Sequence, residues 1–273
     1  MSGLVEKLNE KTVYMISGIS VIIGLVVILV TQPWTDALGL AESPTRIAVE
    51  YPVSIFIYLI PGILLALLFS KNQEWIAPPG KYSPDVKYEP FSTYTLIATA
   101  IAAAIYAVGG LPTGINIDLP ALITAFTAVY FGPMVAFLAF FIGFFIRWAI
   151  GGAVWLPSPA LVPAVAIIDA GVWAINSYLY WFVTRSNKFV KTDNMAVRYT
   201  LMIVMIIVMI LVHLFGWLVV YALVMKPWEA YVAYVTVALS SWYPTTIVFV
   251  IIGVIIGQTL YDARTAMGKL AEE

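Results

Sequence analysis

Apolar residues occur in long runs separated by short polar segments, a pattern typical of helices that cross a membrane. Several runs exceed the roughly 18 residues that a helix needs to span a bilayer. The pattern predicts eight spans, at residues 13–31, 51–70, 93–109, 117–131, 133–150, 161–183, 198–224 and 231–259. The predicted fold class is therefore an all-α polytopic membrane protein with about eight transmembrane helices.

The fourth run, 117–131, is short: as a helix its roughly 15 residues extend about 22 Å. It is either a separate span or half of one bent helix with the fifth run. The distribution of basic residues distinguishes these two possibilities, because basic residues concentrate at the cytoplasmic ends of membrane helices. With eight spans and a cytoplasmic N-terminus, only Arg46 and Lys226 flank outer ends, against eleven residues at inner ends. The eleven are Lys7, Lys11, Lys71, Lys81, Lys87, Arg185, Lys188, Lys191, Arg198, Arg264 and Lys269. We therefore predict eight spans with both termini in the cytoplasm.

A proline-rich segment separates the first two spans from the rest. The stretch NQEWIAPPGKYSPDVKYEP contains four prolines, one glycine and charges of both signs, a composition typical of an extended linker. We predict a two-helix N-terminal extension over 1–71, a cytoplasmic linker over 72–92, a six-helix bundle over 93–260 and a cytoplasmic tail over 261–273.

Composition agrees with a membrane protein and narrows its chemistry. Hydrophobic residues make up 62% of the 273 positions, charged residues 11%, mean hydropathy is +0.95 and net charge is −1, far from soluble usage. There are no cysteines and one histidine, which excludes disulfides and argues against thiolate or multi-histidine centres. No GxxxxGK[ST] phosphate-binding loop occurs. We therefore expect no cofactor, no nucleic-acid partner and no ATP hydrolysis by this chain.

The polar and large aromatic residues inside the spans fall in the half of the bilayer nearer the outside. An ionised group in hydrocarbon must be paired or functional, and Arg147 with Asp169 is the obvious pair, either as a structural salt bridge or as a solute contact. His213 is either an interhelical hydrogen-bonding residue or a ligand contact. The buried tryptophans either fill the core or stack on a planar or cationic solute.

One-sided polarity predicts a cup open to the outside, because a through-pore needs polar lining on both sides. The outer connection LPTGINIDLP would cover this cup. The predicted solute-binding residues are Arg147, Asp169, Trp173, Asn176, His213, Trp217 and Trp242 in the spans, with Asn116 and Asp118 in the outer connection.

A strip of alanines opens the predicted six-helix unit. Ala98 with Ala102, and Ala100 with Ala104, lie four residues apart, which gives a surface that another helix can approach closely. The strip serves either packing inside the bundle or docking of a partner. After it come a short helix from Pro120, an FGP turn at 131–133 and a helix containing Gly143.

Over about 93–260 this succession resembles the substrate-binding (S) component of energy-coupling factor transporters, which import vitamins and micronutrients. The resemblance implies six helices with cytoplasmic ends, an alanine strip that meets a transmembrane coupling subunit resting on two ATPases, and a lid over the cup. It also implies that delivery follows toppling of the whole bundle. The two N-terminal helices are additional to that unit.

The predicted function is thus a non-enzymatic, solute-binding subunit of an importer of this type, multi-pass in the cell membrane, that captures a vitamin-like molecule from outside. The alternative is an accessory subunit of a larger respiratory or monooxygenase complex, which the additional helices and the aromatic content suit. A lipid-modifying enzyme would need a pair such as Asp169 with His213, and is the third option.

Overall fold

The computed structural model describes backbone for residues 9–37, 50–71, 92–111, 118–153, 159–186, 195–224, 232, 236–237, 239–241 and 243–272. Side chains are described for the same residues except 31–37, 195, 217–224 and 265–272. All regular structure in these ranges is helical. The predicted linker over 72–92 lies outside them, except for Ser92, which begins the third helix by accepting a hydrogen bond from the backbone N–H of Thr95.

Eight helices make up the described part of the chain, in agreement with the predicted helix count. They are α1 (Glu10–Ala37), α2 (Glu50–Lys71), α3 (Thr93–Gly109), α4 (Leu119–Tyr130), α5 (Pro133–Ala149), α6 (Val162–Arg185), α7 (Met195–Val224) and α8 (Tyr243–Glu272). Five of them, α1, α2, α6, α7 and α8, contain a segment long and apolar enough to cross a membrane. The apolar helices α3, α4 and α5 are shorter, at 12 to 17 residues.

The hairpin between α4 and α5 confirms that the fourth and fifth runs are two helices rather than one bent helix. Gly132 has φ +91° and ψ 175°, a conformation that only glycine adopts without strain. Pro133 then occupies the start of α5, where its fixed φ suits a helix and its missing N–H costs nothing. The ring of Phe69 packs over the turn.

The last helix has other bounds than the sequence predicted, which were 231–259. Helix α8 begins at Tyr243 and continues to Glu272, after a turn at Ser241. The cause is Pro244: its ring would clash with the carbonyl of Ser240 in a continuous helix, and it has no N–H to donate. The predicted tail over 261–273 is thus helical as far as Glu272.

Helix α6 is the centre of the molecule. It packs against α2, α4, α5 and α7, and nearly all of its side chains are buried. Pairs of helices approach closely where glycines replace side chains, as between α8 and α4: a Cβ on Gly257 would lie 3.2 Å from the carbonyl oxygen of Phe126. Such small-residue contacts are the usual means by which helices associate in membranes.

The N-terminal pair packs directly on this bundle. Helix α2 contacts α5, α6 and α1. A Cβ on its Gly62 would lie 3.0 Å from the Cα of Gly171 on α6, and a Cβ on Gly171 would lie 2.6 Å from the carbonyl oxygen of Tyr58 on α2. Helix α1 is held by two polar contacts: Ser20 Oγ donates to the Phe56 carbonyl, and the Tyr14 hydroxyl lies 2.6 Å from that of Tyr178 on α6. The first two helices therefore cover one side of α6.

Short helix α4 depends on α6 for its C-terminal hydrogen bonds. The last carbonyls of a helix have no partner within it, and hydrocarbon offers none. Ser177 and Trp181 both donate to the carbonyl of Ala128, at 2.6 and 3.1 Å, and Arg185 donates to the carbonyl of Val129 at 2.9 Å. These three donors follow one another at intervals of four residues along α6. They explain how a 12-residue helix ends inside an apolar bundle.

Candidate functional site

Asp169 is the centre of a buried polar cluster. It lies in the second turn of α6 with only 5% of its surface exposed. The Tyr106 hydroxyl, from α3, donates to Asp169 Oδ2 at 2.5 Å, and Trp173 on the next turn of α6 also interacts with this carboxylate. Tyr106 itself is 1% exposed, and its ring packs against Phe140 of α5. Side chains of α3 and α6 thus meet at one buried carboxylate, and α5 packs against the Tyr106 ring.

Arg147 reaches the same cluster from the last turn of α5. Its Nε donates to the Gly152 carbonyl at 3.0 Å, its Nη1 lies 3.4 Å from the Tyr106 hydroxyl, and its guanidinium carbon is 5.5 Å from the centre of the Tyr106 ring. A Cβ on Gly110 or Gly152 would overlap the Arg147 side chain. Because these two glycines have no side chains, the aliphatic part of Arg147 can pass close to their backbone.

A direct Arg147–Asp169 salt bridge, one of the two roles predicted for this pair from the sequence, is not formed among the described contacts. Among the described contacts, Tyr106 stands between the two charges, accepting from the guanidinium and donating to the carboxylate. The three side chains form a chain of hydrogen bonds that runs from α5 through α3 to α6. Its physical effect is to satisfy a buried carboxylate with a neutral donor while holding the cation nearby.

His213 and Tyr243 extend the cluster through ring contacts. The imidazole of His213, on α7, lies 5.3 Å from the Trp173 ring and stacks on the Tyr243 ring at 6.1 Å. The Tyr243 hydroxyl is 3.4 Å from His213 Nδ1 and donates to the Ile210 carbonyl at 3.0 Å. His213 is 6% exposed. His213 is thus a hydrogen-bonded interhelical residue whose ring contacts those of Trp173 and Tyr243.

Asp118 joins the cluster from the start of α4. It caps that helix by accepting from the Ala121 N–H at 3.1 Å, and its other oxygen accepts a short hydrogen bond from the Thr246 hydroxyl of α8. It is close enough to interact electrostatically with Arg147, Asp169 and His213. The residue expected in a lid is therefore a structural cap that also contributes negative charge to the site.

The remaining predicted solute contacts divide into three groups. Asn176 is fully buried and donates through Nδ2 to the Met209 carbonyl at 3.2 Å, which ties α6 to α7. Trp217 lies on α7, but its side chain is outside the described set. Asn116 and Trp242 lie outside the described residues altogether. The structure therefore brings together Asp118, Arg147, Asp169, Trp173 and His213.

The alanine strip divides between two faces of α3. Ala98 and Ala102 are each 4% exposed, buried against the protein's own helices, so they leave no surface for a partner. Ala100 and Ala104 face outward, beside exposed apolar side chains such as Ile97 and Ile101. The internal-packing reading fits the first two residues, and only the second two remain open to docking.

The site residues predicted from the sequence did not include Tyr106, Thr246 or Tyr243. One signal for Tyr106 was available, because it lies four residues after Ala102 and therefore on the inward face of the same helix. Thr246 had no comparable signal, since its contact with Asp118 joins residues 128 positions apart in the chain.

A buried basic residue, Arg185, lies at the opposite end of α6, about 24 Å from Asp169 along the helix axis. The Arg185 guanidinium contacts the Val129 carbonyl and Gln258 Oε1, and lies 3.4 Å from the centre of the Tyr261 ring and 4.0 Å from that of Trp181. These contacts join α4, α6 and α8. Arg185 therefore serves the architecture of that end of the bundle.

No protein-family description, no curated protein and no solved structure matches this chain. The chemistry of the site must therefore be read from its own residues. In the described part of the chain no group of three or more His, Cys, Asp or Glu side chains is arranged to hold a metal ion. The cluster offers hydrogen-bond acceptors, one guanidinium and aromatic faces.

Proposed function

We propose that this protein is a membrane-embedded solute-binding subunit, and that the cluster around Asp169 is its binding site. The observation that carries the proposal is the convergence of costly groups from separate helices on one place: Asp118, Arg147, Asp169 and His213 come from different helices and interact electrostatically or through shared rings. Ionisable groups inside a membrane bundle are expensive, and their usual role is in a substrate or ion pathway.

The geometry supports binding better than catalysis. Asp169 and His213 do not share a hydrogen bond among the described contacts. Trp173 interacts with the carboxylate and packs against the imidazole ring. A general acid–base pair needs hydrogen-bond reach to each other or to a common reacting atom. The aromatic wall of Trp173, His213 and Tyr243 instead supplies faces for a ring or a cationic group.

The finer part of the proposal is that the subunit belongs to an importer of the energy-coupling factor type. It rests on the resemblance over 93–260 together with a short α4, a glycine-proline hairpin and an apolar outer face on α3 that includes Ala100 and Ala104. In such an importer the protein captures a vitamin-like solute from outside, with both termini in the cytoplasm, and ATPase partners drive its release inward.

Affinity purification from native membranes in a mild detergent tests this part. Co-purification of a coupling subunit with an ATPase pair is the expected result. Substitution of Ala100 and Ala104 together by Leu should reduce this co-purification, whereas Val204→Leu, which changes an exposed apolar position on α7, should leave it unchanged. Recovery of redox subunits instead would overturn the importer proposal in favour of an accessory role in a membrane enzyme complex.

A further inference from the structure

The net charge of the cluster around Asp169 indicates which class of solute it binds. An inference about the solute rests on the proposed function. Among the described residues the cluster contains two carboxylates, Asp118 and Asp169, and one guanidinium, Arg147. With His213 counted as neutral, its formal charge is −1, from two negative groups and one positive group. Asp169 is buried, and an uncompensated negative charge around a buried carboxylate is costly. A positively charged occupant removes that cost, and an anionic occupant increases it.

Arg147 is held in place by its own chain, through two of its five N–H groups. Its Nε donates to the Gly152 carbonyl, and its Nη1 is directed to the Tyr106 hydroxyl. Its stem is enclosed by the backbone of Gly110 and Gly152, so it cannot swing toward a new partner without displacing one of these segments. Its charge stabilises the buried Asp169 and the partly buried Asp118.

The two carboxylates retain acceptor capacity. Asp169 accepts from the Tyr106 hydroxyl, and Asp118 accepts from the Thr246 hydroxyl and the Ala121 amide. None of these donors carries a charge. Since an ionised carboxylate has roughly four acceptor positions, each can accept further N–H groups, and a charged donor would form the stronger hydrogen bond.

Aromatic faces complete an environment suited to an organic cation. Tyr106, Trp173, His213 and Tyr243 lie next to the carboxylates and in contact with one another or with Asp169. The faces of aromatic rings attract cations, and tryptophan does so most strongly. A bare metal ion would instead require several ligating side chains together, which the described residues do not provide.

We infer that the solute is a small organic cation whose protonated amine or positively charged ring is bound by Asp169 and lies against Trp173. Its test uses the full-length protein in lipid nanodiscs and three soluble probes of similar size and different charge: benzylammonium, benzyl alcohol and phenylacetate. Thermal unfolding is measured with each probe, because a ligand that binds the folded state raises the unfolding temperature.

Benzylammonium should stabilise the protein at a concentration at least about tenfold lower than phenylacetate does, a difference that corresponds to about 1.4 kcal/mol. The preference should disappear in Asp169→Asn and in Asp118→Asn, and persist in Asp262→Asn, which removes an exposed carboxylate near the far end of α8. Far-ultraviolet circular dichroism and gel filtration establish that each variant is folded.

Equal or tighter binding of phenylacetate or benzyl alcohol would overturn the inference, and so would the absence of stabilisation by all three probes. The proposed function fails on a separate observation. If the purified protein retains a neutral or anionic molecule whose occupancy depends on Asp169, solute binding stands and only the cationic character falls. If it neither retains a molecule nor responds to any probe, both fall.

Discussion

Tyr106 on α3 and Asp169 on α6 are joined by a 2.5 Å hydrogen bond in the interior of the bundle. The tyrosine also accepts from Arg147, so one neutral side chain connects two opposite charges that the sequence suggested would meet directly. This bridge separates the charges by one ring and leaves the carboxylate with acceptor capacity for a further donor. It is the structural basis of the proposed solute site.

Removal of the bridge should weaken the fold. In Tyr106→Phe the ring remains, but Asp169 loses its hydroxyl donor in a buried environment. We expect the free energy of unfolding to fall by about 1–3 kcal/mol, the cost of a buried polar group left unsatisfied. Thermal unfolding in detergent measures the change. Tyr199→Phe removes an exposed hydroxyl on α7 and should have little effect; equal effects of the two substitutions would show that the bridge contributes nothing.

The close passage of Arg147 past Gly110 gives a second prediction. Gly110 has φ −82°, which any residue adopts, so an added methyl group acts only through its overlap with the arginine side chain. Gly110→Ala should therefore lower the unfolding temperature and displace Arg147 from Gly152.

Gly18→Ala is the matched control for this substitution, because a Cβ there meets nothing within 4 Å. It should raise stability by about 0.5–1 kcal/mol as glycine leaves a helix interior. A Gly110→Ala variant as stable as the parent protein would contradict the described packing around Arg147.

Three side chains of α6 donate hydrogen bonds to the end of α4, and we predict that their substitutions lower the free energy of unfolding by different amounts. Ser177→Ala leaves Trp181 as the remaining donor to the Ala128 carbonyl, whereas Arg185→Met removes the charged donor of the Val129 carbonyl and of Gln258. We expect losses of about 0.5–1.5 kcal/mol for Ser177→Ala and about 1.5–3 kcal/mol for Arg185→Met. Thermal unfolding of the two variants beside the parent protein measures the order.

Arg185→Lys distinguishes geometry from charge in this series. Lysine keeps the positive charge but lacks the planar fork that reaches two acceptors while stacking on rings. The lysine variant should therefore remain less stable than the parent in thermal unfolding. Arg198→Lys, at an exposed position on α7, is the control. Full retention of stability in Arg185→Lys would mean that charge alone accounts for the contact.

Much of the fold could be predicted from the sequence, because hydrophobic run length and proline-glycine punctuation are local signals. The α4–α5 hairpin illustrates this: the GP dipeptide at 132–133 marks the turn, and both bounds are close to those expected. The error at α8 has an equally local cause, since Pro244 was treated as a position within the last span rather than as part of its beginning.

The site was predictable only in part. Asp169, Arg147 and His213 stand out because charged or ionisable residues are rare in apolar runs, and the structure places all three near one another. Their connections were not predictable, since Tyr106 reaches Asp169 across 63 residues and Thr246 reaches Asp118 across 128. Helical periodicity assigns a residue to a face, but the pairing of faces depends on how the helices pack together, which no single segment encodes.

The central claim is that the cluster around Asp169 holds a small molecule, and native mass spectrometry of the gently solubilised protein tests it most directly. The parent protein and Asp262→Asn should both carry the same small molecule, and Asp169→Asn should carry it at an occupancy at least about tenfold lower, as loss of a charged contact requires. A parent protein that carries no small molecule, or an Asp169→Asn variant with undiminished occupancy, would contradict the account.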